Sequence, residues 1–375
     1  MPSSPIIPAK RDPADHALLD VLGRVPDPRD PRGVRYPLVG VLAVAVCAVL
    51  AGARSFAAIG ERALDLEQAQ LAALGLGRAP EESTLRKLFA RPDTIALDRQ
   101  LAVLAWTRIA HVAGRRVIAI DGKTVRGART AHAAAPHLVA ALDHATGVVP
   151  RQHAVDTKSN EIPALRDLLA GFDPTDLHGC VITADAMHTQ TDTAQAIVEA
   201  GADYVLTVKG NQPRLLADMK TLPWAAVPVG STSTEHAHGR RVTRTIKAID
   251  APAWVGFPGA AQVAQLRRTV TSNGKKPVEV VYLITSATHA LAPPAVLAAW
   301  VRGHWAIEDR LHYVRDVTFA QDDSQVRVGR APHVMASLRN AVIGLLRLAG
   351  WDNIAKALRH HARHPDRAIT CALTC

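Results

Sequence analysis

Three acidic residues stand where they can hold divalent metal. Asp121 and Asp185 close two short apolar runs, RRVIAID and GCVITAD, that read as buried strands. Carboxylates at the ends of neighbouring strands converge on one edge of a sheet. Glu308 lies in the helical pattern AVLAAWVRGHWAIEDRLHYVRDV, four residues after His304 and seven before Arg315, a spacing that predicts one shared helical face. Mg²⁺ takes oxygen ligands and is usually held by a few carboxylates, waters and substrate phosphate. Two such ions about 3.5 to 4 Å apart activate the attacking oxygen and stabilise the leaving one in an in-line phosphodiester displacement. Read singly, each acid is equally a solvated strand or helix end.

Basic residues flank these acids. Lys123 and Arg126 follow Asp121 in a turn, where contact with a phosphate is expected over a plain surface turn. Lys158 with Glu161, and Lys209 with Asn211 and Gln212, lie just beyond strands, as DNA contacts or equally as caps and surface ion pairs. His238, Gly239, Arg240 and Arg241 form a basic turn able to track a DNA backbone, with a solvated loop as the alternative. Arg86 and Lys87 sit on a short helix for which Ser83 or Thr84 is the expected N-cap, placed to lie along DNA phosphates, with a solvated helix face as the alternative. Trp224 and Trp254 are expected in the core. The His- and Cys-containing end, His360 to Cys375, fits no standard zinc spacing and reads as a frayed tail.

The elements that position these residues change character along the chain. Residues 1–112 are helical in pattern, including the apolar run Leu38 to Ala53, which is short for a membrane span and reads as a buried helix. From Arg115 the order becomes β-β-β-α-β-α-β: RRVIAID, HLVAALD and VVPRQHAVD as strands, EIPALRDLLAGF as a helix, GCVITAD as a strand, TDTAQAIVEAGA as a helix closing on Gly201, and DYVLTVK as a strand. That order is the one an RNase H-like nuclease fold requires. Thr- and Val-rich stretches with an Asn273-Gly274 hairpin signal predict a β-rich insertion at about 222–290, after which helices resume. The domains expected are a helical, DNA-binding region over 1–112, a catalytic region over 113–348 and a tail over 349–375.

The 375 residues carry 44 Lys+Arg against 34 Asp+Glu, a net charge of +10 that favours a polyanionic partner, nucleic acid first. Apolar residues make up 48%, which excludes wholesale disorder. Four scattered cysteines and no signal-type leader predict a reducing, cytoplasmic setting.

Five motifs, IAIDGKTVRG, KSNEIPAL, ITADAMHTQ, YVLTVKGNQ and RGHWAIEDRLHYVRDVTF, resemble in order the bacterial insertion-sequence transposases of the ISAs type, also called H-repeat-associated proteins. DPRDPRGVRYPL and APEESTLRKLFA match their helical N-terminal region, so the resemblance covers roughly residues 20–350. It implies an α/β fold: an RNase H-like core of a mixed five-stranded sheet with helices, interrupted by the β-rich insertion and preceded by the helical domain. It further implies a DDE transposase with Asp121, Asp185 and Glu308 as catalytic and metal-holding carboxylates and two Mg²⁺ (or Mn²⁺) per site. The expected partners are terminal inverted repeats and target DNA, with a homodimer on synapsed ends. In related transposases a Tyr, an Arg and a Lys near the Glu contact DNA. Val301, His304 and Arg315 stand there, so basic phosphate contact carries over to His304 and Arg315, with Arg302 as a substitute. Asp309, Tyr313 and Gln321 depart from the branch, Gln321 replacing an acid beside Asp322. A silent DNA-binding remnant and an RNase H-like nuclease without strand transfer remain the rival readings.

Overall fold

The computed structural model describes residues 18–106, 111–155, 161–173, 175–237, 239–272 and 275–374. Lys158, His238 and the Asn273-Gly274 turn lie outside the described residues. Two compact units divide the chain: Met1–Ala110, Gly122–Glu161 and Ile307–Cys375 in the first, His111–Asp121 and Ile162–Ala306 in the second.

The first unit gathers α1 (Leu18–Gly23), α2 (Leu38–Leu50), α3 (Phe56–Leu64), α4 (Gln68–Ala73), α5 (Glu82–Phe89) and α6 (Thr94–Trp106). The apolar run becomes α2, in which every residue but Val39 is buried. No helix among the described residues is long and apolar enough to cross a membrane. Gly52, with φ of 89°, ends α2 in a left-handed turn whose Ala53 N–H reaches back to Ala48 O at 2.9 Å, a Schellman closure that glycine permits. The helix α5 starts at Glu82 with Glu81 as N-cap, so Ser83 and Thr84 lie inside its first turn.

The strand β1 (Val117–Thr124) runs through both units. The first unit adds β2 (His137–Asp143) and β3 (Arg151–Val155), paired antiparallel, with Gly147 at φ 73° in the expected turn between them. The second unit adds α7 (Glu161–Ala170, shared at its first residue), β4 (Val181–Ala184), α8 (Thr191–Glu199), β5 (Asp203–Val208) and α9 (Pro213–Thr221). The strands β1, β4 and β5 are parallel. The order β3-β2-β1-β4-β5 is the RNase H-like arrangement that the strand sequence predicts.

The insertion forms four antiparallel strands, β6 (Ser231–Ala237), β7 (Arg240–Asp250), β8 (Gln262–Thr271) and β9 (Val278–Thr285). They continue the core sheet through an antiparallel β5–β9 pair, giving nine strands in all. Then follows α10 (Pro294–His304), whose Trp300 is fully buried among Val117, Val181, Val205 and Ile246. Trp224 is buried beside Tyr282, but Trp254 is 55% exposed, contrary to its expected place in the core.

Back in the first unit, two π-helical turns, Glu308–His312 and Val314–Thr318, precede α11 (Ala331–Leu348). The tail is helical rather than frayed: α12 (Ile354–His361) and α13 (Pro365–Thr374) bury Ile354, Leu358, Ile369 and Cys371 in the first unit, and α13 packs on α2. An apolar stripe hidden among the His and Arg residues explains why composition alone misled there. Asp98 of α6 ties α11 in place by accepting from His333 Nε2 and Ser337 Oγ, both at 2.5 Å.

Candidate active site and nucleic-acid interface

In the second unit, the register of β1 against β4 pairs Ile120 with Ala184, so Asp121 and Asp185 come next in line, Asp185 just past the end of β4 and Asp121 within β1, which runs three residues beyond the end expected from sequence. Asp121 is 9% exposed, while the Asp185 side chain is about half exposed at 49%. His304, in the last turn of α10, lies with Nε2 3.5 Å from Asp185 Oδ1 and Nδ1 3.1 Å from Thr183 Oγ1. Its hydrogen bond holds the Asp185 carboxyl below its ordinary value of 3.8 against the opposing effect of burial, and the charges of His304, Lys209 and His188 add to the lowering.

The loop that presents Asp185 is braced from behind. Asn211 Nδ2 donates to Ala186 O at 2.6 Å, and Gln212 Nε2 donates to Thr189 O at 2.8 Å. Asn211, expected as a DNA contact, therefore has its amide engaged with backbone. Lys209 fits the expectation better, because it is exposed and bears on the Asp185 charge.

A cavity of about 430 Å³ opens beside Asp185, between α10 and the inner face of the insertion strands. Its floor includes Val205, Ile246, Leu266 and Leu283, and its wall carries Lys209, Arg244, Arg268 and Arg302. Arg244 and Arg302 both pair with Glu235, Arg244 at 2.8 Å. Arg268 Nη1 lies 3.5 Å from Glu279 Oε2. Sequence reading found Arg302 but missed Arg244 and Arg268. The signal was present in period 2, since both alternate with Ile246 and Leu266 and so share the inner face. Arg240 is exposed at the start of β7.

In the first unit, Glu308 is exposed and Oε2 lies 3.5 Å from His312 Nδ1, a partner that sequence reading passed over. The segment is not the α-helix expected. The Tyr313 N–H bonds to Glu308 O and the Phe319 N–H to Val314 O, the i→i+5 pattern of a π-turn. A wider turn removes the seven-residue periodicity on which a shared face for Glu308 and Arg315 rested. Arg315 is fully buried instead, donating from Nε to Gln321 Oε1 at 2.9 Å, so the expected phosphate contact does not hold for it. Lys123 forms an ion pair with Asp316 and is largely buried, which likewise withdraws its amine from the surface. Arg126 remains 78% exposed with Asp322 4.0 Å away. On α5, Arg86 bonds Glu82 at 2.7 Å across one turn, and Lys87 is exposed.

Within the second unit the carboxylates of Asp121 and Asp185 are hard oxygen donors of the kind that Mg²⁺ or Mn²⁺ takes, and the lowered pKa of Asp185 keeps its carboxylate ionised.

Known proteins resemble this chain in sequence. The family profile described as "Transposase DDE domain" matches residues 113–345, and that described as "DDE_Tnp_1-associated" matches 19–107. YncI of Escherichia coli O157:H7 is 31% identical over 348 residues, covering 88% of this chain and 87% of its own. The H repeat-associated protein YhhI of Escherichia coli strain K12 is 29% identical over 354 residues, covering 88% and 90%. Both carry transposase in their names. A solved piggyBac transposase synaptic complex with hairpin DNA overlays at a TM-score of 0.42 and 11% identity, over 92% of this chain and 76% of that one. With one family profile spanning most of its length and the associated profile covering the helical region before it, the chain belongs to the DDE transposase family.

Proposed function

We propose that this protein is the transposase of a bacterial insertion sequence, binding the terminal inverted repeats, hydrolysing the phosphodiester at the element ends and transferring the freed 3′-hydroxyl to target DNA. Asp121, Asp185 and Glu308 are its metal-holding carboxylates. The observation that carries the reading is the register-matched pair Asp121 and Asp185, one of them kept ionised by His304 and Lys209, beside an arginine-lined cavity. These carboxylates would hold two divalent cations, Mg²⁺ or Mn²⁺, which would supply Lewis-acid activation of the attacking and leaving oxygens.

The chain's own residues do the rest. His304 lowers the cost of gathering carboxylates in one place by hydrogen-bonding the Asp185 carboxylate, and Lys209 by placing positive charge near it. Arg302, Arg244 and Arg268 offer guanidinium forks to strand phosphates, and Lys87, Arg126 and Arg240 extend that contact over exposed surface. Phosphate contact of this kind positions a strand without reading its sequence. The working form is a homodimer on paired ends, in the cytoplasm at the nucleoid, since cutting only at paired ends requires two copies of the site.

Asp185→Asn tests this reading. Repeat-end binding in a gel shift stays within about threefold, while Mg²⁺-dependent nicking falls on the order of 10³ to 10⁴-fold, as removal of an essential catalytic group does. Nicking at the wild-type rate by the variant would remove Asp185 from the chemistry.

A further inference from the structure

The KSNEIPAL segment has no part in the chemistry above, yet its Glu161 is one of the most deeply buried acids among the described residues, at 4% exposure. His137, the first residue of β2, donates from Nε2 to Glu161 Oε2 at 2.7 Å. In the neutral ring this leaves Nδ1 to accept from the Thr124 hydroxyl, 2.9 Å away. Both side chains of the His137–Glu161 pair are at most 5% exposed.

This relay bears on one point of β1. A Cβ placed on Gly122 would stand 2.5 Å from Glu161 Cδ, 2.5 Å from His137 Nε2 and 2.6 Å from Glu161 Oε1. Only glycine fits, so the carboxylate and the imidazole press directly on the backbone of the residue that follows Asp121. Gly122 and Thr124 share one face of the strand, and Asp121 projects from the opposite face. The strand is thus clamped from behind at the position where its acid side chain leaves the front. Burying an acid and a histidine is costly unless their bonds are complete, and a completed buried network fixes geometry tightly.

We propose that Glu161 and His137 are positioning residues, which through Gly122 and Thr124 set the direction of the Asp121 carboxylate and with it the affinity of the site for divalent cation. The proposal rests on Asp121 being a metal ligand, as in the function above.

The test is Mn²⁺ binding to the purified full chain without DNA, followed by electron paramagnetic resonance, a readout independent of cleavage. Asp121→Ala, Glu161→Ala and Gly122→Ala each weaken Mn²⁺ binding by about tenfold or more, the usual cost of disturbing a ligand or the groups that orient it. Glu161→Gln keeps an acceptor for His137 and stays within about threefold of wild type. Should Glu161→Ala fail to fold, Thr124→Val keeps the strand and the shape while removing one hydrogen bond, and weakens binding about fivefold or more. Wild-type Mn²⁺ affinity in Glu161→Ala or Thr124→Val, alongside weakened Asp121→Ala, would make the trio a core contact and overturn the proposal. Unchanged affinity in Asp121→Ala would overturn the carboxylate assignment beneath it.

Discussion

Asp185 shows how the residues around a single carboxylate hold it ionised. Its acceptor oxygen faces His304, whose other nitrogen is fixed by Thr183, and Lys209 adds charge from the end of β5. Removing that support in His304→Ala should raise the Asp185 pKa toward 3.8, as followed by carboxyl-carbon NMR titration of Asp185 against wild type. Because the folded value lies below the ordinary one, the stabilisation from Asp185 is fully present above about pH 4 and is lost as pH falls through the folded pKa. The variant should therefore lose less stability on acidification than wild type, and an unchanged pKa would show that His304 does not govern this group. Asp121 and Asp185 were legible in sequence because each ends an apolar run. Thr183 and His312 were not, since a threonine inside a strand and a histidine one turn past a glutamate carry no pattern of their own.

The elements were legible wherever hydrophobic period and punctuation agreed. The three-strand meander, α7, β4, α8 with Gly201 at φ 71°, and β5 all fall on their predicted runs. The segment after α10 was not, because a π-turn depends on which i→i+5 bonds the tertiary setting favours, and residue spacing does not disclose that. Its consequence is a buried cationic pair. Arg315 and Arg339 both donate to Gln321 Oε1, at 2.9 and 3.1 Å, and burial pushes them down to about 10 and about 9. Both stay charged at neutral pH, with one neutral amide oxygen shared between them. Gln321→Glu supplies the missing negative charge, and we expect it to raise unfolding free energy by about 1 to 2 kcal/mol in a urea titration, the range of a charge-assisted hydrogen bond over a neutral one. A loss of stability would mean that Asp316 and Asp322, which also act on Arg315, already balance the pair.

At the scale of the whole molecule, the net charge of +10 is the property that sequence stated most directly and that bears most on a polyanionic partner. Binding to repeat ends should weaken steeply with salt, by about 10³ to 10⁵-fold between 50 and 200 mM if six to ten phosphates are contacted. Fluorescence anisotropy across that range checks it, and a flat salt response would argue against phosphate contact as the main source of affinity. The continuation of the core sheet into β6–β9 was hidden, because a Thr- and Val-rich insertion reads the same whether it stands apart or adds strands to an existing edge. The most direct test of the account incubates the protein with labelled DNA carrying its flanking inverted repeats, in Mg²⁺ and in EDTA, beside Glu308→Gln. The account predicts nicking at the repeat boundary in Mg²⁺ alone, absent from Glu308→Gln. Specific binding of those ends with no cleavage in Mg²⁺ or Mn²⁺ would contradict it.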